Sequence, residues 1–238
     1  MYVIPAIDIR DGKCVRLYKG DYAQETIYAD DPRTVINIFA TQKFPWIHIV
    51  DLDGARSGER VNQNIISSLA SAYPESIEVG GGIRTSEDVA KVLSFGVGRV
   101  IMGTALTSMS EKEMRTLFAT WGEKVVVGVD VRDGKVAIHG WRETLNTTLL
   151  DFISLLEDCG ASRAIVTEIS TDGTLAGPAI SLYTELVQKT SLSIIASGGI
   201  GSLQDIRAVS HAGVEAVIVG KAYYEGLISL ETMASFTN

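Results

Sequence analysis

The stretch Val3–Lys13, VIPAIDIRDGK, returns half a chain later as Val125–Lys135, VVVGVDVRDGK. Each copy is an apolar run rich in β-branched residues that leads to an aspartate, Asp8 or Asp130, and then to Arg, Asp, Gly and Lys. A short apolar run closed by a polar turn reads as a strand buried on both faces. The aspartate is expected where each strand runs out. Two copies imply a fold of two similar halves that brings two carboxylates to the same end of a sheet.

A second internal match supports this. Gly81–Ala105 aligns with Gly198–Ala222 without a gap, and about eleven of roughly twenty-five positions are identical, where ordinary composition gives about two. Between these anchors the chain alternates. Apolar runs at Val3–Asp8, Trp46–Asp51, Ser76–Val79, Arg99–Met102, Val125–Asp130, Arg163–Ile169, Ser193–Ser197 and Ala216–Gly220 predict eight strands. Helical stripes at Thr34–Thr41, Asn62–Ala70, Ser86–Ser94, Lys112–Thr120, Leu149–Asp158, Ile180–Lys189 and Leu203–Ser210 separate them, and Tyr223–Phe236 closes with short helical pieces. The pattern predicts one α/β domain over 1–238, a closed (β/α)8 TIM barrel with half-barrels at roughly 1–122 and 123–238. A doubly wound open sheet does not explain the fourfold spacing within each half.

Two connections are unusual. Arg10–Asp31 is too long for a simple strand-to-helix turn and keeps Tyr18, Tyr22 and Tyr28, so it is expected to be a loop that covers a site. Val131–Glu143 is read as a loop that forms a small ribbon around Asp133–Gly134.

Bulk properties narrow the function. A net charge of −8 argues against broad binding to nucleic acid or anionic lipid, although backbone N–H groups can still hold a small phosphorylated substrate. No apolar run reaches the ~18–20 residues of a membrane span, and the N-terminus reads directly into a strand without a signal peptide, so a cytoplasmic location is expected. Cys14 and Cys159 are far apart and predict neither a disulfide nor a zinc site. His48, His139 and His211 have no ligand spacing, so no metal is expected.

In a barrel of this kind chemistry sits at the C-terminal ends of the strands. Asp8 and Asp130 would then face each other across the mouth, and such a pair can serve as general base and general acid if their environments separate their pKa values. The glycine turns add a second requirement. A phosphate needs backbone N–H groups and no side chain in the way. Gly81–Gly82 with Gly103–Thr104 would make one cradle, and Gly198–Gly199 with Gly220–Lys221 its twin. Two cradles flanking two carboxylates imply an elongated small-molecule substrate with a phosphate at each end.

The motifs VIPAIDIRDGKCVRL, HIVDLDGA followed by Gly58 and Asn62, VGGGIR, GVD, GW, TEISTDGTLAGP and IASGGI together resemble the phosphoribosylformimino-5-aminoimidazole carboxamide ribotide isomerases of histidine biosynthesis, over nearly the whole chain. The resemblance implies an Amadori rearrangement, aminoaldose to aminoketose, on a bis-phosphorylated ribotide, with no cofactor and no obligate protein partner. It implies that Asp8 removes the proton from C2 of the opened sugar and that Asp130 protonates the ring oxygen. Asp172 is a third candidate for the acid, and Thr167 would support the acid by a hydrogen bond. Arg16, Gly82, Gly103, Thr104, Gly177, Gly199, Gly220 and Lys221 would bind substrate, and Trp141 would stack on its imidazole. Two alternatives stay open. The sister cyclase of imidazole glycerol phosphate synthesis is disfavoured by Asp51–Ala55, where that family has a Thr-Ala-Ser turn. A dual-substrate isomerase that also accepts phosphoribosylanthranilate is disfavoured by His139, where those enzymes carry arginine.

Overall fold

The computed structural model describes residues 1–58, 61–138, 141 and 143–237. Eight parallel strands form the barrel: β1 (Tyr2–Arg10), β2 (Ile47–Asp51), β3 (Ile77–Gly80), β4 (Arg99–Met102), β5 (Val125–Arg132), β6 (Arg163–Glu168), β7 (Ser193–Ser197) and β8 (Ala216–Val219). Each pairs with its sequence neighbour, and β1 pairs with β8 through Tyr2↔Ala216 to Pro5↔Val219, which closes the sheet on itself. Helices α1 (Pro32–Phe39), α2 (Gln63–Ala72), α3 (Ser86–Leu93), α4 (Glu111–Trp121), α5 (Leu149–Asp158), α6 (Ile180–Lys189), α7 (Leu203–His211) and α8 (Leu230–Ala234) lie between and after the strands. Among the described residues no helix is long and apolar enough to cross a membrane.

Local chemistry explains the element boundaries. The Asp31 carboxylate accepts from Arg33 N–H and Pro32 occupies the first helical turn, so α1 starts at that pair, as a cap residue followed by a first-turn proline predicts. Helices α3 and α7 begin with the same capping box, Thr85 with Asp88 and Ser202 with Asp205. Alternate strand residues divide the core in two. One set packs outward under the helices, including Ile7, Ile49, Val79, Val127 and Val166. The other fills the barrel with Ile4, Ala6, Val126, Ile165, Ile195, Ala216 and Ile218.

Charged groups complete the interior. Glu78, fully buried on β3, takes a 2.6 Å hydrogen bond with His48 Nδ1 and another of 2.6 Å from Arg99 Nε. The Arg99 guanidinium lies 4.0 Å from the Trp46 ring centroid. Burial works to raise the Glu78 carboxyl, but the His48 and Arg99 interactions outweigh it and hold it below the usual range.

The structure departs from the sequence reading at three places. The strands do not end at the aspartates: β1 continues to Arg10 and β5 to Arg132, and the repeated Asp-Gly pairs are hairpin turns, with φ 47° and 76° at Asp11 and Gly12 and 51° and 73° at Asp133 and Gly134. Arg10–Asp31 is not a loop. Lys13–Tyr18 and Asp21–Ala29 form an antiparallel ribbon continuous with β1, closed by a two-residue turn with φ 49° at Lys19 and 70° at Gly20. The overlooked signal is the Lys-Gly pair set between alternating residues, in which Val15 and Leu17 face the core. Finally, Leu52–Ser57 is a short helix, capped by the Asp51 carboxylate on Gly54 N–H. The ribbon expected near Asp133–Gly134 is present as Lys135–Ile138 against β5 and Glu143–Thr148.

Candidate active site

The topology sets Asp8 and Asp130 at the same end of the barrel on strands four places apart. Asp8 is joined to Arg16 of the ribbon, with Oδ2 3.0 Å from Nη1, and each side chain keeps only 13% of its surface exposed. Burial alone disfavours the guanidinium charge, but the charges of Asp8 and Asp172 outweigh it and raise the Arg16 pKa. Asp172 lies in the turn after β6. Burial pushes its carboxyl up, Asp8 adds to the rise, and Arg16 and Lys221 oppose it.

Asp130 has a different environment. Thr167 is its partner in the β5–β6 register. Burial pushes the Asp130 carboxyl from the usual 3.8 to about 6, with Asp172 contributing, while hydrogen bonds from Trp141 and Thr167 hold it back. The mouth therefore holds one carboxylate tied to an arginine and another poised close to neutral pH.

The glycine turns flank this pair. Gly81 and Gly82 have φ of 101° and 75°, and Gly198 and Gly199 have 98° and 83°. A side chain is excluded there: a β-carbon on Gly81 would stand 2.1 Å from the Asp51 carbonyl oxygen, and one on Gly199 would stand 2.2 Å from that of Gly177. Gly177 in turn donates its N–H to the Gly199 carbonyl at 2.9 Å. Gly103 and Gly220 precede the short helices Thr104–Ser108 and Lys221–Tyr224. A small cavity is lined by Arg16, Asp172, Ser197, Gly199, Gly220 and Lys221, so it joins the ends of β6, β7 and β8 to the ribbon. Gly82, Gly103 and Thr104 lie at the matching ends of β3 and β4.

The two ribbons meet over the mouth. Gly20 lies under the Trp141 indole, and the Gly173 backbone packs against Leu17, Tyr18 and Lys19. Lys221 Nζ donates to the Gly173 carbonyl at 2.8 Å and sits 5.5 Å from the Tyr18 ring centroid.

A pair of carboxylates flanked by glycine turns on a closed barrel narrows the relationship, and comparison with known proteins decides it. Residues 2–229 match the family described as histidine biosynthesis protein. The chain belongs to that family. It is similar to the 1-(5-phosphoribosyl)-5-((5-phosphoribosylamino)methylideneamino)imidazole-4-carboxamide isomerase of Geobacillus thermodenitrificans, with 46% identity over 231 residues, 96% of this chain and 94% of the relative. The isomerase of the same name from Chloroflexus aggregans is 46% identical over 230 residues, 97% of this chain and 95% of the relative. That of Roseiflexus castenholzii is 42% identical over 237 residues, covering 99% and 100%.

Several contacts in this family member's mouth are not legible in the sequence, although Asn62, Arg84 and Ser197 belong to the motifs quoted above. Gly20, which admits the indole, was hidden in a stretch read as a loop. Ser197 lines the cavity, and its signal was a polar residue at the end of an apolar strand. Asn62 donates to Asp51 and Asp53 at 2.7 and 2.8 Å and accepts from Gly12 N–H at 3.2 Å, so it ties the ribbon's first turn to β2. Arg84 packs on Gly58, where a β-carbon would stand 2.4 Å from Nη1. His139, used to weigh dual specificity, and Gly140 of the GW motif lie outside the described residues.

Proposed function

We propose that the protein is an isomerase of histidine biosynthesis that acts on the bis-phosphorylated compound after which its relatives are named and converts it from aminoaldose to aminoketose. The observation that carries this reading is the arrangement of Asp8 and Asp130 on opposite strands, each next to a strand that ends in a glycine cradle: β8 with Gly220 beside β1, and β4 with Gly103 beside β5. An aldose–ketose isomerisation conserves oxidation state and needs only proton transfers.

In this reading Asp130 protonates the ring oxygen of the ribosylamine, and the C1–O bond breaks to give an iminium at C1. Asp8 then takes the proton from C2, giving an enolamine that ketonises to the product. Asp130 is preferred to Asp172 as the acid because Thr167 stands beside it in the β5–β6 register and no cation opposes the rise that burial gives its carboxyl, whereas Arg16 and Lys221 oppose that rise at Asp172. Thr167 orients the Asp130 carboxyl. Gly82, Gly103 and Thr104 receive one phosphate, and Gly199, Gly220, Lys221 and Arg16 the other, with Gly177 supporting the second turn. Trp141 stacks on the imidazole.

The protein would work as a self-contained cytoplasmic barrel, 1–238. Its halves, roughly 1–122 and 123–238, are read as copies of one βα unit set. Support comes from the matched turns at Asp11–Gly12 and Asp133–Gly134 and the matched capping boxes at Thr85 and Ser202.

Turnover of the aminoaldose bis-phosphate by purified protein, followed through a coupled cyclase, tests the reading, with phosphoribosylanthranilate run in parallel. Activity on the first alone supports a single-substrate isomerase. Activity on both would widen its specificity, and activity on neither would refute the proposal.

A further inference from the structure

We propose that Arg16 couples phosphate binding to the catalytic base: without substrate it holds Oδ2 of Asp8, and a phosphate seated over Gly199, Gly220 and Lys221 draws the guanidinium away and frees that oxygen. This rests on the isomerase reading above.

Three observations carry it. The Arg16 guanidinium is 3.0 Å from Asp8 Oδ2, in a pair that is largely withdrawn from water. It also lies on the face of Gly220, where a β-carbon would stand 2.4 Å from both Cζ and Nη2 and 2.8 Å from Nη1. The same group thus touches the base and floors the cradle. The cavity around it is lined by Gly199, Gly220, Lys221 and Asp172, so an anion entering there meets Arg16 without any rearrangement of the barrel.

Charge balance gives the direction of the switch. In the absence of an anion Arg16 is neutralised by Asp8 and Asp172, and Lys221 is satisfied by the Gly173 carbonyl. A phosphate dianion brings two charges and three acceptor oxygens, and its geometry matches the planar fork of arginine. Once the fork is turned to phosphate, Asp8 Oδ2 loses its partner and becomes available to the C2 proton. Phosphate binding energy is then expressed in turnover and not only in affinity. Arg16 is in this sense a positioning residue for Asp8 as well as a phosphate ligand.

The phosphate of the isomerised ribose is assigned to the Gly199–Gly220 cradle, which adjoins Asp8 through the β1–β8 pairing, and the test uses a substrate lacking that phosphate, with and without inorganic phosphite. Wild-type protein is expected to turn the truncated substrate over at least 100-fold more slowly than the whole one, and millimolar phosphite is expected to restore kcat by about tenfold or more. Arg16→Met is expected to turn over the truncated substrate several-fold faster than wild type without phosphite, to gain nothing from phosphite, and to show a raised KM for the whole substrate. Phosphite that competes with the whole substrate yet leaves truncated turnover unchanged in wild type would overturn the proposal. So would an Arg16→Met protein slower than wild type on the truncated substrate. Wild-type protein inert on the whole substrate would instead remove the isomerase reading on which the proposal stands.

Discussion

The Trp141 indole rests on Gly20 so closely that a β-carbon at Gly20 would stand 2.4 Å from two ring carbons. The first ribbon therefore fixes the position of an aromatic that also hydrogen-bonds Asp130. Gly20→Ala should push the indole away and strain a turn whose φ is 70°. We expect kcat/KM to fall by about tenfold or more, with a stability loss of only about 1 kcal/mol, read by steady-state kinetics beside thermal melts.

Asp130 links activity and stability through pH. Its carboxyl is raised to about 6, so the folded protein binds a proton there more tightly than the unfolded chain does. Stability is therefore lost as pH rises from about 4 to 6 and stays reduced above. The gap corresponds to about 2–3 kcal/mol. Asp130→Asn should raise the melting temperature at pH 7–8 and leave it nearly unchanged at pH 4, while turnover collapses. With Asp130 as the acid, wild-type kcat/KM should also decline as pH rises through about 6.

The buried Glu78 predicts the opposite slope. Its carboxyl is held low by His48 and Arg99 against the cost of burial, so its contribution is present above the usual glutamate range and is lost as pH falls through it. Glu78→Gln leaves the Arg99 guanidinium buried without its counter-ion. A loss of about 3–5 kcal/mol is expected in chemical denaturation at pH 7, and it should shrink as pH falls below the usual glutamate range.

The cradles can be separated from folding by choice of glycine. At Gly199 a β-carbon would meet backbone at 2.2 Å, so Gly199→Ala should destabilise the barrel as well as weaken binding. At Gly103 the nearest atom is the Gly128 carbonyl oxygen at 3.4 Å, an ordinary contact. Gly103→Ala should therefore fold normally and raise KM for the bis-phosphate, by about tenfold if the cradle is used. An unchanged KM would remove Gly103 from the phosphate site.

Much of the barrel was legible because its signals are local and repeated. Buried parallel strands read as short apolar runs, and Leu149–Asp158 and Ile180–Lys189 appear as helices with the predicted bounds. The first ribbon was missed because half of it, Asp21–Ala29, faces solvent and carries no apolar alternation, and because Lys19 is an uncommon residue at positive φ. The same blindness hid the contacts that depend on chain crossing. Nothing near Gly20 announces an indole more than a hundred residues away, and nothing near Arg16 announces Gly220. Asp8 and Asp130 were visible because each stands in a repeated motif, whereas the Asp8–Arg16 ion pair and the place of Arg16 on the face of Gly220 arise only in three dimensions.

The most direct test of the account is turnover and substrate affinity of Asp8→Asn measured side by side. Turnover is expected to fall by about a thousandfold or more while the bis-phosphate still binds within about tenfold of wild type, because a proton acceptor is lost and both cradles remain. Turnover close to wild type in that variant would contradict it.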